Sequence, residues 1–201
     1  MKIFLIRHGE TTGDIEDRYG GDYDDHLTEK GKQQSKDLAP KLKNRNIEII
    51  YHSPRIRATE TATILYNLLK IKIAPIKDLR ERNNYGILTG LTKKEAKDKF
   101  PGEVEKLRRD KLIHEVKNSE SYESFKKRVI NIFKKITNKD YKTIAIISHG
   151  GPISTIVREI LKLGEFKKLG DCAILEIEKT NDSFKFLLGV YPAACCVMLI
   201  R

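Results

Sequence analysis

The chain has 201 residues, of which 39% are hydrophobic and 33% are charged, and it carries a formal net charge of +11. This balance is typical of a folded globular protein, and no run approaches the roughly 18 apolar residues of a membrane-spanning helix. The positive charge favours anionic partners, but the basic clusters are dispersed and lack the interleaved aromatic residues of a nucleic-acid platform.

The N-terminal apolar run, Met1–Ile6, is too short for a signal peptide, and Arg7 and His8 end it at once. We therefore expect a cytoplasmic protein. Its three cysteines form no CxxC pattern and no Cys/His cluster, which indicates neither a disulfide framework nor a zinc site. The pair Cys195-Cys196 lies in an apolar segment and is expected to pack as small hydrophobic side chains.

Short β-rich runs occur at intervals along the chain. The predicted strands cover residues 2–6, 47–51, 71–76, 143–147, 172–177 and 184–190. Nearly continuous apolar runs such as 143–147 fit strands that are buried on both faces of a parallel sheet. The last two strands are expected at one side of that sheet.

Helical patterns separate these strands. The predicted helices cover residues 28–43, 53–69, 120–137 and 151–163. Pro40 should kink the first helix or end it early, whereas Ser53-Pro54 should begin the second, with serine as N-cap and proline at the first helical position. A long loop is expected over residues 13–25 and a polar helical insertion over about residues 92–119.

The chain length, with no linker or internal repeat in the sequence, predicts one domain over residues 1–201. Its class should be α/β: a three-layer αβα sandwich with a mostly parallel central sheet of about six strands and helices on both faces. Ligands in such folds usually sit at the carboxyl ends of the strands.

Four polar clusters follow predicted strands at such ends. They are Arg7-His8-Gly9-Glu10, the segment 53–62, the segment 81–86 and Ser148-His149-Gly150-Gly151. Arginine forks match phosphate oxygens bidentately, and a neutral imidazole can attack phosphorus. A second histidine can stabilise charge on the oxygens, and a carboxylic acid can protonate the leaving oxygen. The clusters therefore indicate phosphoryl transfer.

Joined with Leu27-Thr28-Glu29-Lys30-Gly31, these clusters resemble, in order and over almost the whole chain, those of the histidine phosphatase superfamily, also called the phosphoglycerate mutase-like family. The resemblance implies a small phosphorylated substrate and no metal.

The resemblance also implies a role for each matching residue. His8 would be the phosphorylated nucleophile and Glu81 the proton donor. Arg7, Arg57 and His149 would bind the phosphoryl group, and His149 would also take part in catalysis. The other histidines are expected to have surface or structural roles: His26, His52 and His114.

Three features depart from the family pattern. Asp14 stands where the family usually has asparagine, and Gly13 stands in place of a large aromatic residue. Three residues instead of two separate Glu81 from the Tyr85-Gly86 pair. Because an ionised aspartate repels phosphate, we expect Asp14 to pair with a neighbour such as Arg18 or to lie outside the pocket.

The family performs two reactions, and the residues leave both open. A phosphatase passes the phosphoryl group to water, whereas a mutase returns it to another hydroxyl and uses 2,3-bisphosphoglycerate as primer. The segment after Glu81 and the Arg108-Arg109 pair look mutase-like, but the chain is shorter than typical mutases. Candidate substrate-binding residues are Gly20, Gly21, Tyr85, Lys93, Arg108 and Arg109.

We favour phosphomonoester hydrolysis without a cofactor and keep phosphoglycerate mutase as the alternative. A non-catalytic phosphate-binding module on the same fold is a third hypothesis. We expect neither nucleic acid nor membrane as a partner, and the oligomeric state stays open, with a homodimer as one option.

Overall fold

The computed structural model describes residues 1–109, 115–166, 169–181, 183–190 and 199–200. The predictions for His114, Cys195 and Cys196 concern residues outside these ranges. The strands within them are β1 (Lys2–Arg7), β2 (Ile49–His52), β3 (Ile73–Pro75), β4 (Thr143–Ser148), β5 (Glu165–Phe166), β6 (Ile174–Thr180), β7 (Ser183–Val190) and β8 (Leu199–Ile200).

Six of these strands form one sheet in the order β3-β2-β4-β1-β6-β7. Strands β3, β2, β4 and β1 run parallel, whereas β6 is antiparallel to β1 and β7 is antiparallel to β6. The predicted α/β class and mostly parallel sheet are confirmed, and the last two predicted strands do lie at one side of the sheet.

Seven helices occur in the described residues. They are α1 (Thr12–Ile15), α2 (Glu29–Leu42), α3 (Ile56–Leu69), α4 (Lys93–Lys99), α5 (Pro101–Arg109), α6 (Tyr122–Thr137) and α7 (Gly150–Glu159). Two short 3-10 turns, Lys77–Leu79 and Gly86–Leu88, lie between β3 and α4.

The helices cover both faces of the sheet because successive strand residues point in opposite directions. On β1, Ile3 and Leu5 belong to an apolar cluster with α6 and α7. Their neighbours Phe4 and Ile6 belong to a second cluster with α2 and α3. This arrangement gives the three layers that the sequence predicts.

Several helix boundaries differ from the prediction: α6 begins at Tyr122 instead of residue 120, and α7 ends at Glu159 instead of residue 163. Two further differences have a visible cause. Helix α2 continues through Pro40 to Leu42, because the proline ring is exposed near the last turn and the carbonyl of Lys36 can be hydrated there. Helix α3 begins at Ile56 and not at the predicted Ser53-Pro54 start, since the hydroxyl of Ser53 lies 2.7 Å from the ring of His149.

The predicted loop over residues 13–25 contains part of the short helix α1. The predicted polar insertion contains α4 and α5, whose Ala96 and Leu107 pack with Tyr19, Leu88 and Val116. One domain over residues 1–201 stays a prediction. No helix in the described residues is both long and apolar enough to cross a membrane.

Candidate active site

The carboxyl ends of β1 and β4 bring two histidines together. The strands pair in parallel with Arg7 opposite Ser148, so His8 and His149 follow at neighbouring strand ends. Their ring centroids are 5.0 Å apart, and the backbone N–H of His8 donates to the carbonyl of Ser148 at 3.1 Å. Both rings are buried. The sheet therefore fixes the spacing of the two imidazoles.

Arg57 lies between the two histidines. It occupies the first turn of α3, where a helix N-terminus favours anions. Its Nε lies 3.2 Å from His8 Nε2 and 3.2 Å from His149 Nδ1. Its terminal nitrogens donate to Asp25 Oδ1 at 2.7 Å, to the carbonyl of Gly21 at 2.9 Å and to the carbonyl of Tyr23. The arginine therefore ties the 20–25 segment to the histidine pair.

The hydrogen bonds of His8 define which nitrogen can react. His8 Nδ1 lies 2.7 Å from the carbonyl of Gly9, which can only accept, so Nδ1 carries the proton of the neutral ring. The lone pair is then on Nε2, the atom that faces Arg57. Burial and the charges of Arg57 and Arg7 hold the pKa of His8 well below its ordinary value. The imidazole is therefore neutral, as a nucleophile must be.

His149 is neutral for similar reasons. Burial, Arg57 and the neighbouring His8 lower its pKa well below the ordinary value. Because Nδ1 accepts from Arg57, the proton lies on Nε2, which donates to Ser53 Oγ at 2.7 Å. His149 is also the N-cap residue of α7. The ring is thus held on both sides beside His8.

Arg7 contributes a buried donor that is unpaired within the described part of the chain. One of its terminal nitrogens donates to the carbonyl of Leu169 and lies 3.4 Å from a carboxylate oxygen of Asp171. Its Nε is buried and has no hydrogen-bond partner among the described residues. An unsatisfied buried N–H is costly, and an oxyanion bound beside His8 would satisfy it. This observation fits a phosphate site.

The carboxylate of Glu81 contacts the first turn of α7, the helix whose N-cap is His149. Its Oε2 accepts from the backbone N–H of Gly151 at 3.0 Å, and its Oε1 accepts from that of Arg82 at 2.9 Å. The lengthened segment after it is anchored by Asn83, whose Oδ1 accepts from the N–H of Gly86 at 3.0 Å. The Glu81 carboxylate faces the start of α7.

A cavity of about 430 Å³ opens beside this cluster. Its lining combines glycines, aromatic rings, small polar side chains and charged groups: Gly20, Gly21, Glu81, Arg82, Asn84, Tyr85, Tyr122, Phe125, Gly151, Ser154, Thr155 and Arg158. The cavity adjoins the cluster because the Gly21 carbonyl accepts from Arg57 and Gly151 follows His149 by two residues. The cavity can hold the alcohol part of a phosphomonoester whose phosphate lies at the histidine pair.

The structure separates the predicted substrate-binding residues into two groups. Gly20, Gly21 and Tyr85 line the cavity. Lys93 is not among its lining residues, and its Nζ lies 3.4 Å from the ring centroid of Tyr19.

The Arg108-Arg109 pair is likewise not brought to the cavity. Both arginines pair with Glu105, at 3.1 and 2.8 Å, and their side chains are 76% and 77% exposed. Leu107 is the residue that α5 buries, whereas the two arginines that follow it are exposed to solvent.

Of the two alternatives predicted for Asp14, the pair with Arg18 does not form, and Asp14 is not among the residues that line the cavity. Its carboxylate accepts from the backbone N–H of Thr11 at 3.0 Å and from the Thr11 hydroxyl at 2.9 Å, which forms a capping box on α1. Arg18 instead pairs with Glu16 and Glu95. The carboxylate is thus occupied in a helix cap.

The sequence missed the far wall of the cavity. Tyr122 and Phe125 come from α6, and Ser154, Thr155 and Arg158 come from α7. The three α7 residues share one helix face by their spacing, which is the one signal that could have found them. Among the described residues, no group of three or more His, Cys, Asp and Glu side chains could hold a metal ion, and metal independence stays a prediction.

Comparisons with known proteins place the chain among phosphatases and mutases of similar sequence. Phosphoserine phosphatase 1 of Hydrogenobacter thermophilus is 26% identical over 162 residues, which are 80% of this chain and 76% of that protein. A 2,3-bisphosphoglycerate-dependent phosphoglycerate mutase of Hamiltonella defensa is 28% identical and covers 82% of this chain and 79% of its own length.

Among solved structures, YhfR of Bacillus stearothermophilus superposes with a TM-score of 0.80 at 25% identity, over 92% of this chain and 94% of that one. A family profile described as the histidine phosphatase superfamily, branch 1, matches residues 3–189. The chain belongs to branch 1 of the histidine phosphatase superfamily, whose members are phosphatases and related mutases that act on small phosphorylated substrates.

Proposed function

We propose that this protein hydrolyses phosphomonoesters of small metabolites through a phosphohistidine at His8. The observation that carries the proposal is the neutral His8 ring, whose Nε2 lone pair faces Arg57 at 3.2 Å in a buried cluster. The relatives named phosphatases support the same activity.

The reaction would take place in two steps. In the first, His8 Nε2 attacks phosphorus, the bond to the ester oxygen breaks, and Glu81 gives a proton to that oxygen. In the second, Glu81 takes a proton from water, whose oxygen attacks phosphorus and releases His8 and inorganic phosphate. Arg7, Arg57 and His149 would stabilise the charge on the phosphoryl oxygens throughout.

The remaining expectations belong to the same proposal. The alcohol part of the substrate would occupy the 430 Å³ cavity, with Gly20, Gly21 and Tyr85 in contact with it. The reaction would need neither metal nor organic cofactor. The protein would act in the cytoplasm without nucleic acid, and a homodimer is an option that the proposal leaves open.

Transfer of ³²P from a labelled phosphomonoester tests the nucleophile. We expect acid-labile label on the wild-type protein and none on His8→Ala, because phosphohistidine is labile in acid and the variant lacks the imidazole. His26→Ala is the matched control, since His26 is exposed and pairs with Glu60 at 2.7 Å. It should label like the wild type. Equal labelling of His8→Ala would contradict the proposal.

Phosphoglycerate mutase is the second candidate, supported by the relatives that carry that name. The outward orientation of Arg108 and Arg109 favours the phosphatase, because neither arginine lines the cavity. Incubation with 3-phosphoglycerate, with and without 2,3-bisphosphoglycerate, separates the two. Fast, bisphosphate-stimulated isomerisation with little free phosphate would overturn the phosphatase. Absence of label across a panel of phosphomonoesters would instead favour a non-catalytic phosphate-binding module.

A further inference from the structure

We propose that Arg128, through its ion pair with Glu120, is a positioning residue that sets the Glu81 carboxylate for proton transfer. The inference rests on the proposed function. Arg128 lies in α6 and Glu120 lies just before that helix, outside the four sequence clusters that the family resemblance identifies.

Arg128 holds the backbone of the segment that carries Glu81. Its Nη1 donates to the carbonyls of Asp78 and Arg80, both at 2.9 Å, and its Nη2 donates to the carbonyl of Glu81 at 3.0 Å. Three carbonyls within four residues thus converge on one guanidinium. The segment has no regular structure after the 3-10 turn that ends at Leu79, so these bonds define its path.

Glu120 completes the hydrogen bonding of the guanidinium. Its Oε1 accepts from Arg128 Nε at 2.6 Å and its Oε2 accepts from Nη2 at 2.7 Å. All five N–H donors of Arg128 are therefore used, three on carbonyls and two on the carboxylate. The two side chains are only 11% and 14% exposed, so the pair is largely withdrawn from water and holds one geometry.

The backbone of Glu120 also forms hydrogen bonds with the segment, at Arg82 and Asn83. Its N–H donates to the carbonyl of Asn83 at 2.6 Å, and its carbonyl accepts from Arg82 Nε at 2.9 Å. Residues 78–83 are thus held on both sides by one ion pair and its backbone.

This arrangement matters for catalysis because of how Glu81 itself is held. Within the described part of the chain, its carboxylate accepts from two backbone N–H groups, those of Arg82 and Gly151. One of these donors belongs to the segment that Arg128 fixes, and the other belongs to α7. A shift of the segment would move the carboxylate relative to α7 and hence relative to His8, and misplacement by about 1 Å can cost roughly a hundred-fold in rate.

Leaving-group dependence separates positioning of the acid from a merely structural ion pair. An alkoxide leaving group needs a proton, whereas p-nitrophenolate departs without one. We would measure first-turnover rates of phosphoryl transfer to the protein for an alkyl phosphomonoester and for p-nitrophenyl phosphate. For Arg128→Met, we expect about a hundred-fold loss on the alkyl substrate and at most about three-fold on p-nitrophenyl phosphate.

Two further variants keep the test informative if Arg128→Met fails to fold. Glu120→Gln keeps the shape of the side chain and removes its charge, so it should show the same selective loss at smaller size. Arg128→Lys keeps the charge but offers three donors without a fork, and it should not restore the alkyl rate. In Arg128→Met/Glu81→Gln, we expect no loss beyond that of Glu81→Gln, because both changes remove one function.

Arg45→Met is the matched control. Arg45 also pairs with a glutamate, Glu176 at 3.7 Å, and lies over a phenylalanine ring, that of Phe4 at 5.9 Å, as Arg128 lies over Phe125 at 4.9 Å. Among the described residues, its side chain contacts Lys41, Glu176 and Phe4 and none of the Glu81 segment, so both rates should stay at the wild-type level.

Equal losses on both substrates, or no loss in folded Arg128→Met, would overturn the positioning role while the proposed function stands. Additive losses in the double variant would overturn it as well. If the wild-type protein transfers phosphate from neither substrate, the proposed function itself fails, and the two failures are thus distinguishable.

Discussion

At the scale of single residues, the site is defined by which polar atoms are already satisfied. The ring nitrogens of His8 and His149 have hydrogen-bond partners, namely Arg57 Nε for both rings, the carbonyl of Gly9 for His8 and the hydroxyl of Ser53 for His149. Arg7 differs, because its buried Nε has no partner in the described residues. A group left in this state is stabilised by whatever ligand completes its hydrogen bonding.

Orthophosphate should therefore raise the melting temperature of the wild-type protein. Ligand at 100 times its Kd stabilises a folded protein by about 2.7 kcal/mol. In Arg7→Met the orphaned donor is gone, so the phosphate-induced shift should shrink to less than half, as measured by calorimetry. Arg108→Met, at an exposed position, should keep the full shift. If phosphate raised the melting temperature of Arg7→Met as much as that of the wild type, the hypothesis that Arg7 Nε binds phosphate would be wrong.

At the scale of elements, helix α2 braces the segment that follows His8. A Cβ on Gly31 would lie 2.0 Å from the carbonyl oxygen of Glu10, and a Cβ on Gly9 would lie 2.5 Å from the carbonyl oxygen of Gly31. These are backbone atoms and cannot move aside as a flexible side chain could. Because neither glycine has a side chain, α2 can contact the backbone of the segment that follows His8.

Gly31→Ala should therefore destabilise the fold by about 1–3 kcal/mol, the usual cost of overpacking, and should also slow turnover because the loop after His8 must shift. Gly102→Ala is the control: it is also in a helix, and a Cβ there would meet nothing within 4 Å. Alanine is the better helix former, so that variant should be neutral or slightly stabilised. Urea denaturation gives the free energy of unfolding of both variants. Equal values for Gly31→Ala and Gly102→Ala would contradict the close contact between α2 and the segment after His8.

At the scale of the whole molecule, burial of neutral histidines couples folding to pH. The pKa values of His8, His149 and His52 are all lowered, and burial is the largest cause in each case. In the unfolded chain a histidine titrates near about 6.5. Below that pH the unfolded state binds protons that the folded state does not.

The free energy of unfolding should consequently fall as the pH drops below about 6.5, and keep falling until the folded-state pKa values are reached. Each buried histidine contributes a slope of up to about 1.4 kcal/mol per pH unit. Denaturant titrations between pH 7.5 and 5 measure the slope. His52→Gln should flatten it, because His52 is buried and its ring bonds Ser53 and Thr59 rather than His8 or Arg57. The same slope in the variant would exclude His52 as a contributor.

The sequence by itself determined the alternation of strands and helices, because apolar runs and capping residues are local signals. It also determined the cluster of His8, Arg57 and His149, since parallel strands must bring their carboxyl ends to one edge of the sheet. Family resemblance added Glu81, whose carboxylate does line the cavity. The alternation and the cluster follow from the order of the elements in the sequence and from the parallel pairing of the strands.

Only the tertiary structure decided which remaining residues meet. Arg108 and Arg109 are exposed on α5 and do not line the cavity, and the Asp14 carboxylate accepts hydrogen bonds in the capping box of α1. The convergence of Arg128 on the Glu81 segment joins residues about 47 to 50 positions apart. No local pattern encodes such contacts, because they follow from how helices pack over the sheet, and side-chain direction is settled only when that packing is complete.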